Sequence, residues 1–330
     1  MSLKLGFIGS GSVAPYHLEV LSYLGIRVAC IASKENSTSV KKIANQYNID
    51  KIEKNWVNLI ENNSDLNAII ICTPPTISSK IIDYTKKADI SVLVEKPGAV
   101  SSQELIAIRK TLKSKVFFAF NRRFYHSVNE FKDNMNRTSG FLVVKIIEDK
   151  KYISNKYSVL EILVLNSTHY FDMINYLIGE FRIGSVNKLS GNFGFRATII
   201  NSNNMEIGEI FIEFGTPANT SITFENSEIS LKLEPIEKYT RANSLSVVEP
   251  TKKNPIRSYV PIWSQIKEKN DAKPESQFKP GFLEQMNEFI GTMNNVEKNT
   301  SLKLAQIDSA IFAVQIAELF TKKISKLIKQ

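Results

Sequence analysis

Three groups of residues in this 330-residue chain have the types and spacing that enzyme chemistry requires. Small residues at positions 9, 11 and 14 form the pattern G-x-G-x-x-A, Glu95 stands beside Lys96, and His169 lies in an apolar stretch. Backbone N–H groups beside closely spaced glycines bind phosphates. Lysine and histidine side chains transfer protons near neutral pH. These residues are typical of a protein that holds a dinucleotide next to a reacting hydroxyl.

The glycine pattern stands where a dinucleotide turn belongs, because it follows an apolar segment, Lys4–Ile8, and opens helical spacing over Val13–Leu24. A glycine at the first position permits a tight turn, the second lets a pyrophosphate approach the backbone, and the alanine keeps the helix close to its strand. In this context the pattern predicts a cofactor site rather than a glycine-rich turn of an unrelated protein. The predicted contacts are Gly9, Gly11, Ser12, Val13 and Ala14.

The choice between NAD and NADP depends on the residue about 20 positions beyond the turn, at the end of the second strand. An Asp or Glu there would accept a hydrogen bond from the ribose 2′-hydroxyl of NAD. This chain has Ala32-Ser33-Lys34 instead. Lys34 could pair with a 2′-phosphate and Ser33 could donate to it, which favours NADP. NAD stays possible, with Lys34 solvated and Glu35 on the ribose.

Strands and amphipathic helices alternate over the first 120 residues, which predicts a doubly wound parallel sheet of the Rossmann type. The expected strands are Lys4–Ile8, Ile26–Ala32, Leu66–Cys72, Ile90–Val94 and Val116–Phe120. The expected helices are Val13–Leu24, Ser39–Tyr47, Ile77–Lys86 and Gln103–Leu112. Ligands bind at the carboxyl ends of such strands, and Lys96 follows one of them.

The second half predicts an α+β domain with an open, mostly antiparallel sheet. We expect a helix over Leu163–Ile178 that ends at Gly179, and then short strands between residues 184 and 233. The polar, proline-containing stretch 238–280 is predicted to be a lid or binding loop. Its candidate contacts are Arg257, Tyr259, Trp263, Phe278 and Lys279. Helices are expected over Gly281–Met293 and Leu304–Ile324.

Composition narrows the class of protein. The net charge is +9, but the lysines are spread along the chain, so we interpret them as an ordinary solvated surface and not as a nucleic-acid site. The alternative is that they attract anionic small molecules such as dinucleotides. Two cysteines in apolar strands and three scattered histidines predict no metal site. No apolar run is long enough to span a bilayer, so no membrane partner is expected. A strand that begins at Leu3 leaves no room for a signal peptide, and the expected location is the cytoplasm.

Three further motifs carry a family resemblance: Thr73-Pro74-Pro75, Glu95-Lys96-Pro97 and Phe120-Asn121-Arg122-Arg123-Phe124. In this order they resemble the Gfo/Idh/MocA oxidoreductases, which include glucose–fructose oxidoreductase and inositol dehydrogenase. The resemblance covers nearly the whole chain. It implies a Rossmann domain at 1–122, a substrate and oligomerisation domain at 123–280, and helices at 281–330 that pack back on the Rossmann domain.

The resemblance also implies roles for single residues. Lys96 would hydrogen-bond the reacting hydroxyl and the nicotinamide ribose within a proton relay, and Glu95 would orient the cofactor. Thr73, Pro74 and Asn121 would contact the cofactor. Arg123 and Asn166 would join Lys96 and His169 in binding the substrate. Ser78 stands where many relatives have a histidine, and it could simply begin a helix.

The stretch Leu165–Asp172 resembles the family's second catalytic motif, D-x-x-x-H with an Asp three residues later. An Asp four residues before the histidine would share its helix face and hold its tautomer. This chain has Leu165 at that position. His169 would therefore accept the hydroxyl proton without a carboxylate, unless Asn166 or Asp172 takes over. The alternative is a histidine that only packs in the core. His17, on the first helix, could approach the cofactor or cover the sheet.

The implied reaction is hydride transfer between a nicotinamide cofactor, NADP or NAD, and a hydroxyl or keto carbon of a sugar, polyol or nucleotide sugar. Two alternatives remain. A non-catalytic or regulatory dinucleotide-binding protein is favoured by Leu165, and a reductase of an imine or tetrapyrrole-type substrate would need no His–Asp pair. Relatives commonly associate through the open sheet, so the resemblance also implies a homodimer or homotetramer.

Overall fold

The computed structural model describes residues 3–35, 37–86, 90–112, 115–149, 151, 157–190, 194–265, 277–293 and 302–328. The chain forms two compact units. The first unit comprises Met1–Phe124, Leu163–Tyr176 and Lys273–Glu318, and the second comprises Tyr125–Ile162, Leu177–Ala272 and Leu319–Gln330. These units group residues by contacts in space, so the boundaries at residues 122 and 280 stay a prediction about segments of the chain.

The first unit is built on a seven-stranded sheet with the order β15-β6-β5-β4-β1-β2-β3. The strands are β1 (Leu5–Ile8), β2 (Val28–Ala32), β3 (Lys51–Glu53), β4 (Ala68–Ile71), β5 (Ser91–Val94), β6 (Val116–Phe118) and β15 (Ala305–Gln306). The pairs among β1 to β6 are parallel, and β15 is antiparallel to β6. Every residue of β1 and β4 is buried, as expected for strands covered on both faces. The predicted Rossmann architecture is confirmed.

Helices cover this sheet. They are α1 (Ala14–Tyr23), α2 (Thr38–Gln46), α3 (Trp56–Glu61), α4 (Pro75–Thr85), α5 (Ser102–Thr111) and, late in the chain, α9 (Phe282–Met293). Phe282, Met286 and Phe289 of α9 share one hydrophobic core with Leu18 and Val20 of α1. A segment distant in sequence therefore completes the packing around the first helix.

The second unit contains an eight-stranded sheet with the order β14-β13-β12-β11-β7-β10-β9-β8. The strands are β7 (Phe141–Glu148), β8 (Arg182–Lys188), β9 (Gly194–Ile200), β10 (Glu206–Phe214), β11 (Ser221–Glu225), β12 (Ser230–Leu233), β13 (Tyr239–Val248) and β14 (Ser258–Gln265). Neighbours are antiparallel except β7 and β10. Helix α6 (His126–Met135) packs against β12 and β13. The open, mostly antiparallel sheet is as predicted.

The prediction of a lid over residues 238–280 is wrong for the part that the structure describes. Strands β13 and β14 pair antiparallel as a long hairpin, and residues 266–276 lie outside the described ranges. The hairpin escaped prediction because side chains on both of its faces are exposed, so the alternation of apolar and polar residues that marks a half-buried strand is missing.

The helix expected over Leu163–Ile178 is interrupted. A short turn, α7 (Val159–Ile162), leads into a π-helical segment at Leu163–Ser167, and a regular helix, α8 (Thr168–Ile178), follows. Gly179 has φ +79° and ends α8, as predicted. The last helix is α10 (Ile307–Ile328). Within the described ranges, no helix combines the length and the hydropathy that a membrane crossing requires.

Candidate active site

The glycine turn joins β1 to α1 in a conformation that only glycine tolerates. Gly9 has φ +116°, and its N–H donates to the Ala32 carbonyl at 2.8 Å. A Cβ at Gly9 would lie 2.1 Å from the Cys72 carbonyl oxygen, whereas a Cβ at Gly11 would meet no atom within 4 Å. Gly11 and Ser12 are exposed, Val13 is half-buried and Ala14 is fully buried. The turn therefore presents open backbone at the start of a firmly packed helix.

No side chain competes for the backbone N–H groups where α1 begins. Val13 is the N-cap residue and provides no side-chain hydrogen bond, and the first turn holds no acidic residue. These N–H groups carry the positive end of the helix dipole. The arrangement fits the diphosphate of a dinucleotide.

Serine hydroxyls cluster where β2 ends. Ser10 Oγ lies 2.7 Å from Ser33 Oγ and 2.7 Å from Ser39 Oγ, and Ser37 Oγ lies 2.7 Å from Ser39 Oγ. Ser37 is the N-cap of α2, whose first turn also holds no acidic residue. Lys34 is exposed beside this cluster. The hydroxyls make a neutral, donor-rich surface.

Glu35 does not reach this serine cluster in the structure. Its carboxylate lies 3.5 Å from Lys54 Nζ in an exposed ion pair. Lys34 therefore lies beside the serine cluster, whereas the Glu35 carboxylate is paired with Lys54. This pairing argues against the alternative in which Glu35 binds the ribose.

The turn after β4 is closed by side-chain hydrogen bonds. Thr73 Oγ1 lies 2.8 Å from Ser78 Oγ, and the Ser78 hydroxyl is also 2.9 Å from the Thr73 carbonyl oxygen. Pro74 is the N-cap residue of α4. Ser78 is fully buried, and it helps to shape the start of the helix.

The residues that follow β5 are held by contacts on both sides. Glu95 Oε1 lies 2.8 Å from His17 Nε2, and His17 is only 1% exposed. The peptide bond between Lys96 and Pro97 is cis. Lys96 Nζ donates to the backbone carbonyl oxygen of Leu165 at 2.5 Å. The lysine ammonium is thereby fixed beside the π-helical segment that leads to His169.

The two arginines of the 3₁₀ turn at Asn121–Phe124 have different surroundings. Arg123 donates from Nε to Asp172 Oδ2 at 2.8 Å and from Nη2 to Oδ1, and both side chains are buried. Arg122 stacks on Tyr170, with Cζ 3.9 Å from the ring centroid. Arg122 Nη1 is buried and has no hydrogen-bond partner among the described residues. Asn121 Nδ2 donates to the Pro280 carbonyl at 2.9 Å.

His169 lies one residue into α8, with its ring edge-to-face on Phe120 at 6.0 Å. Its Nδ1 is buried without a hydrogen-bond partner in the described part of the chain. Asp172 is occupied by Arg123, and Leu165 offers only its carbonyl, which Lys96 uses. Asn166 lies half-buried in the π-helical segment. Asp172 therefore does not replace the missing aspartate.

Charge and burial make His169 a neutral imidazole at physiological pH. Burial lowers the pKa of His169 well below its ordinary value of 6.5, and the positive charges of Lys96, Arg122 and Lys279 lower it further. A neutral ring has a free nitrogen lone pair that accepts a proton. Sequence analysis did not assign Arg122 and Lys279 to the surroundings of His169.

The predicted catalytic, cofactor-binding and substrate-binding residues between Gly9 and His169 belong to the first unit, whereas Arg257, Tyr259 and Trp263, candidate contacts of the predicted lid, belong to the second. Hydrogen bonds join Glu95 to His17, Lys96 to Leu165, and Arg123 to Asp172. Among the described residues, no group of three or more His, Cys, Asp or Glu side chains could hold a metal ion.

Sequence comparison matches residues 3–119 to a family model described as "Oxidoreductase family, NAD-binding Rossmann fold". An uncharacterized oxidoreductase of Bacillus subtilis, YrbE, is 24% identical over 238 residues, which cover 68% of this chain and 65% of that protein. Inositol 2-dehydrogenase of Rhizobium meliloti is 24% identical over 192 residues, covering 54% and 56%. The aligned regions thus span less than two thirds of either relative.

Solved structures resemble the chain over almost its full length. Levoglucosan dehydrogenase in complex with NADH and levoglucosan has a TM-score of 0.75 at 16% identity, covering 99% of this chain and 98% of that one. Myo-inositol dehydrogenase of Lactobacillus casei with NAD(H) and myo-inositol scores 0.74 at 13%, covering 98% and 95%. UDP-N-acetylglucosamine 3-dehydrogenase of Acidithiobacillus ferrooxidans scores 0.71 at 11%, covering 98% of each. At these identities the likeness establishes the shared fold.

Proposed function

We propose, from the match of residues 3–119 to the oxidoreductase family model, that this chain is a nicotinamide-dependent dehydrogenase or reductase of the Gfo/Idh/MocA type. Its proposed substrate is a sugar, polyol or nucleotide sugar with a reacting CH–OH or keto carbon. The observation that carries the proposal is the hydrogen bond from Lys96 to the Leu165 carbonyl. It fixes a lysine beside the start of the helix that holds His169, in the same unit as the glycine turn.

The dinucleotide fits the residues that would hold it. At Gly9 a Cβ would clash with the Cys72 carbonyl, so glycine lets the turn pack closely there, and Gly11 leaves its neighbourhood open. No side chain caps the N-terminus of α1, and its first turn holds no acidic residue. The nicotinamide ring supplies hydride acceptance or donation when the cofactor is bound. Thr73, Pro74, Glu95 and Asn121 are the further proposed cofactor contacts.

Lys96 and His169 have different roles at the substrate oxygen. His169, neutral through burial and nearby positive charge, accepts the hydroxyl proton in the oxidation direction. The Lys96 ammonium stabilises the negative charge that develops on that oxygen. Glu95, the residue before Lys96, is held in position by its hydrogen bond to His17. Asn166 and Arg123 complete the proposed substrate-side set, Arg123 as a positioning residue through Asp172.

We propose NADP as the preferred cofactor. The serine cluster around Ser10, Ser33, Ser37 and Ser39 offers hydroxyl donors without a carboxylate, and Lys34 adds a positive charge nearby. A ribose 2′-phosphate would gain charge-assisted hydrogen bonds there. The engagement of Glu35 with Lys54 supports the same choice.

Fluorescence titration with NADPH and NADH tests the cofactor preference. We expect NADPH to bind at least about tenfold more tightly, the equivalent of one charge-assisted hydrogen bond. We expect Ser33→Asp to reverse the ratio of the NADPH and NADH dissociation constants, because the new carboxylate repels the 2′-phosphate. The control is Lys80→Met, which removes an exposed lysine of the same unit and should leave this ratio unchanged. Tighter binding of NADH to the unmodified protein would overturn the NADP assignment.

One observation favours a second candidate, a regulatory dinucleotide-binding protein: His169 Nδ1 has no carboxylate partner in the described chain. Turnover distinguishes the two. A panel of sugars, polyols and nucleotide sugars is incubated with NADP and NAD, and absorbance of the reduced cofactor is followed. Reduction that disappears in Lys96→Met supports the dehydrogenase, whereas tight cofactor binding without turnover on any member supports the regulatory protein.

We further propose that the protein is a homodimer or homotetramer that associates through the second unit. The hairpin β13–β14 supports this proposal, because large apolar side chains stand exposed along it. They include Leu245, Ile256, Tyr259 and Ile262, each more than half exposed. Single exposed apolar residues are ordinary, but a contiguous set marks an interaction surface. The cytoplasmic location stays a prediction.

A further inference from the structure

The surroundings of His169 carry more positive than negative charge. The positive charges of Lys96, Arg122 and Lys279 act on its ring. The nearby carboxylates are engaged elsewhere, Asp172 with Arg123 and Glu95 with His17. Where the family motif has an aspartate, this chain has Leu165. The local charge is therefore not balanced by the described side chains of the site.

Arg122 has a donor that lacks an acceptor. The guanidinium is held flat on Tyr170, the residue next to His169, with Cζ 3.9 Å from the ring centroid. Nη1 is buried and makes no hydrogen bond to the described residues. A buried charged donor without a partner costs free energy, so such a group is satisfied by an ordered water, an ion or a ligand. Stacking leaves the edge of the planar guanidinium available for hydrogen bonding.

Lys279 is the second cation without a counter-charge. Its Nζ lies 4.6 Å from the Tyr16 ring centroid and 5.4 Å from that of Phe282. These cation–π contacts position the ammonium, yet no carboxylate pairs with it among the described residues. The side chain is exposed, so a ligand from solvent can reach it.

We infer that the substrate carries a carboxylate close to its reacting carbinol carbon, and that Arg122 and Lys279 bind this carboxylate. The inference rests on the proposed function and names its substrate class. A planar guanidinium edge matches the two oxygens of a carboxylate, and the lysine adds a second charge-assisted contact. A hydroxyl of an uncharged polyol could accept a hydrogen bond from Arg122 Nη1, but an uncharged polyol would leave the cations without neutralisation.

A bound carboxylate would also explain how the site works without an aspartate at position 165. A negative charge near the imidazole favours its protonated form and raises its pKa. The acid group of the substrate would thereby offset the three cations and make His169 a better base when substrate is present. The substrate would supply the charge that Leu165 does not.

The test compares matched acids and neutral analogues on the full chain saturated with NADPH. Gluconate is paired with sorbitol, and glucuronate with glucose, while glucose 6-phosphate forms a separate arm. Binding is followed by calorimetry and by the fluorescence of bound NADPH. We expect at least one acid to bind about tenfold to a hundredfold more tightly than its neutral partner, as charge-assisted hydrogen bonds predict.

Variants locate the effect. Arg122→Met and Lys279→Met should each remove most of the preference for the acid, while Lys252→Met, a change at an exposed lysine of the second unit, should preserve it. Nuclear magnetic resonance of the imidazole gives a readout besides activity, because the pKa of His169 should rise when the acid binds to the unmodified protein and not when it is added to the double variant.

The outcomes separate this inference from the proposed function. Failure of both NADPH and NADH to bind overturns the proposed function itself. Normal NADPH binding with equal affinity for acid and neutral analogue in both pairs overturns only the carboxylate inference. Stronger binding of glucose 6-phosphate than of both acids overturns the carboxylate in favour of a phosphate. Retention of acid preference in the Arg122 and Lys279 variants overturns the assignment of these two residues.

Discussion

At the scale of single residues, the site departs from the Gfo/Idh/MocA motif that it resembles at the partner of the histidine. His169 has no carboxylate to fix its tautomer, and the segment before it contributes a backbone carbonyl to Lys96 instead. Burial and three cations keep the ring neutral. The imidazole of His169 is therefore in the neutral form that a general base needs, but its low pKa makes it a weak base. A charged group that binds beside the ring would change this pKa.

Removal of the histidine should affect turnover far more than cofactor binding. We expect His169→Ala to lower kcat by about 10²- to 10⁴-fold, the usual contribution of a general base. The dissociation constant of NADPH should stay unchanged, because the glycine turn and the serine cluster are intact. His126→Ala is the matched control, since the side chain of His126 is 70% exposed. Unchanged kcat in His169→Ala would show that this histidine is a packing residue.

The pH profile should reflect the lowered pKa of His169. The base form is neutral, so kcat/KM for oxidation holds through neutral pH and falls only when the pH drops well below 6.5. Lys279→Met removes one of the cations that disfavour imidazolium, so the acidic limb should move to higher pH. Steady-state rates across pH, for the unmodified protein and this variant, provide the measurement. An acidic limb above pH 6.5 in the unmodified protein would contradict this account.

Spacing and residue type were enough to predict roles for Gly9, Lys96 and His169, because each stands in a local pattern. They could not assign the two arginines. Arg122 and Arg123 are neighbours in sequence, yet only Arg123 reaches Asp172, a residue 49 positions later. Which of two adjacent cations becomes paired depends on the tertiary structure, and so the free donor of Arg122 was not foreseen.

At the scale of elements, the two glycines of the turn between β1 and α1, Gly9 and Gly11, have different functions. In Gly9→Ala the new Cβ would lie 2.1 Å from a backbone carbonyl oxygen at φ +116°. The backbone must then shift, and we expect the free energy of unfolding to fall by about 3 kcal/mol or more. In Gly11→Ala the Cβ meets no protein atom within 4 Å, so stability should change by less than about 1 kcal/mol.

Gly11→Ala should nevertheless weaken dinucleotide binding, because the methyl group occupies the space through which a pyrophosphate would approach the backbone. Urea unfolding and NADPH titration of both variants measure the two effects. Equal losses of stability in the two variants would contradict the structure of the turn.

The buried ion pair between Arg123 and Asp172 connects the 3₁₀ turn to α8. Arg123→Met leaves the Asp172 carboxylate buried without its counter-charge, and we expect a loss of about 3–5 kcal/mol in the free energy of unfolding. The matched control is Arg109→Met, because Arg109 pairs with Asp308 at the surface, where such a pair contributes at most about 1 kcal/mol. Thermal and urea unfolding report both values. A loss below that of the control would place Asp172 in a more solvated setting than described here.

The regular spacing of apolar residues made the parallel sheet predictable. Elements without such spacing were not predicted. The expected strands of the first unit are present to within a few residues at each end. Strand β3 has three residues and α3 has six, too few for a periodic pattern, although Asn55 caps α3 through its side chain. The π-helical segment was also missed, because a run such as Leu163–Ser167 has the apolar character of a regular helix.

At the scale of the whole molecule, exposed apolar side chains on β13 and β14 lead to a prediction about assembly. We expect the unmodified protein to be a dimer or tetramer in light scattering after size-exclusion chromatography. Tyr259→Lys with Ile262→Lys should shift it toward the monomer, because two desolvated charges oppose association. Met205→Lys, at another exposed apolar residue of the second unit, is the control. A monomeric unmodified protein would contradict the proposed oligomer.

The first unit draws on three separated stretches of the chain, the last of which reaches Glu318. During synthesis the face of α1 that packs on Phe282 and Met286 emerges from the ribosome long before those residues exist. At usual elongation rates the delay is on the order of ten seconds. The nascent chain therefore exposes this apolar surface until Phe282 and Met286 have been synthesised, and we expect fragments that stop before Phe282 to be insoluble.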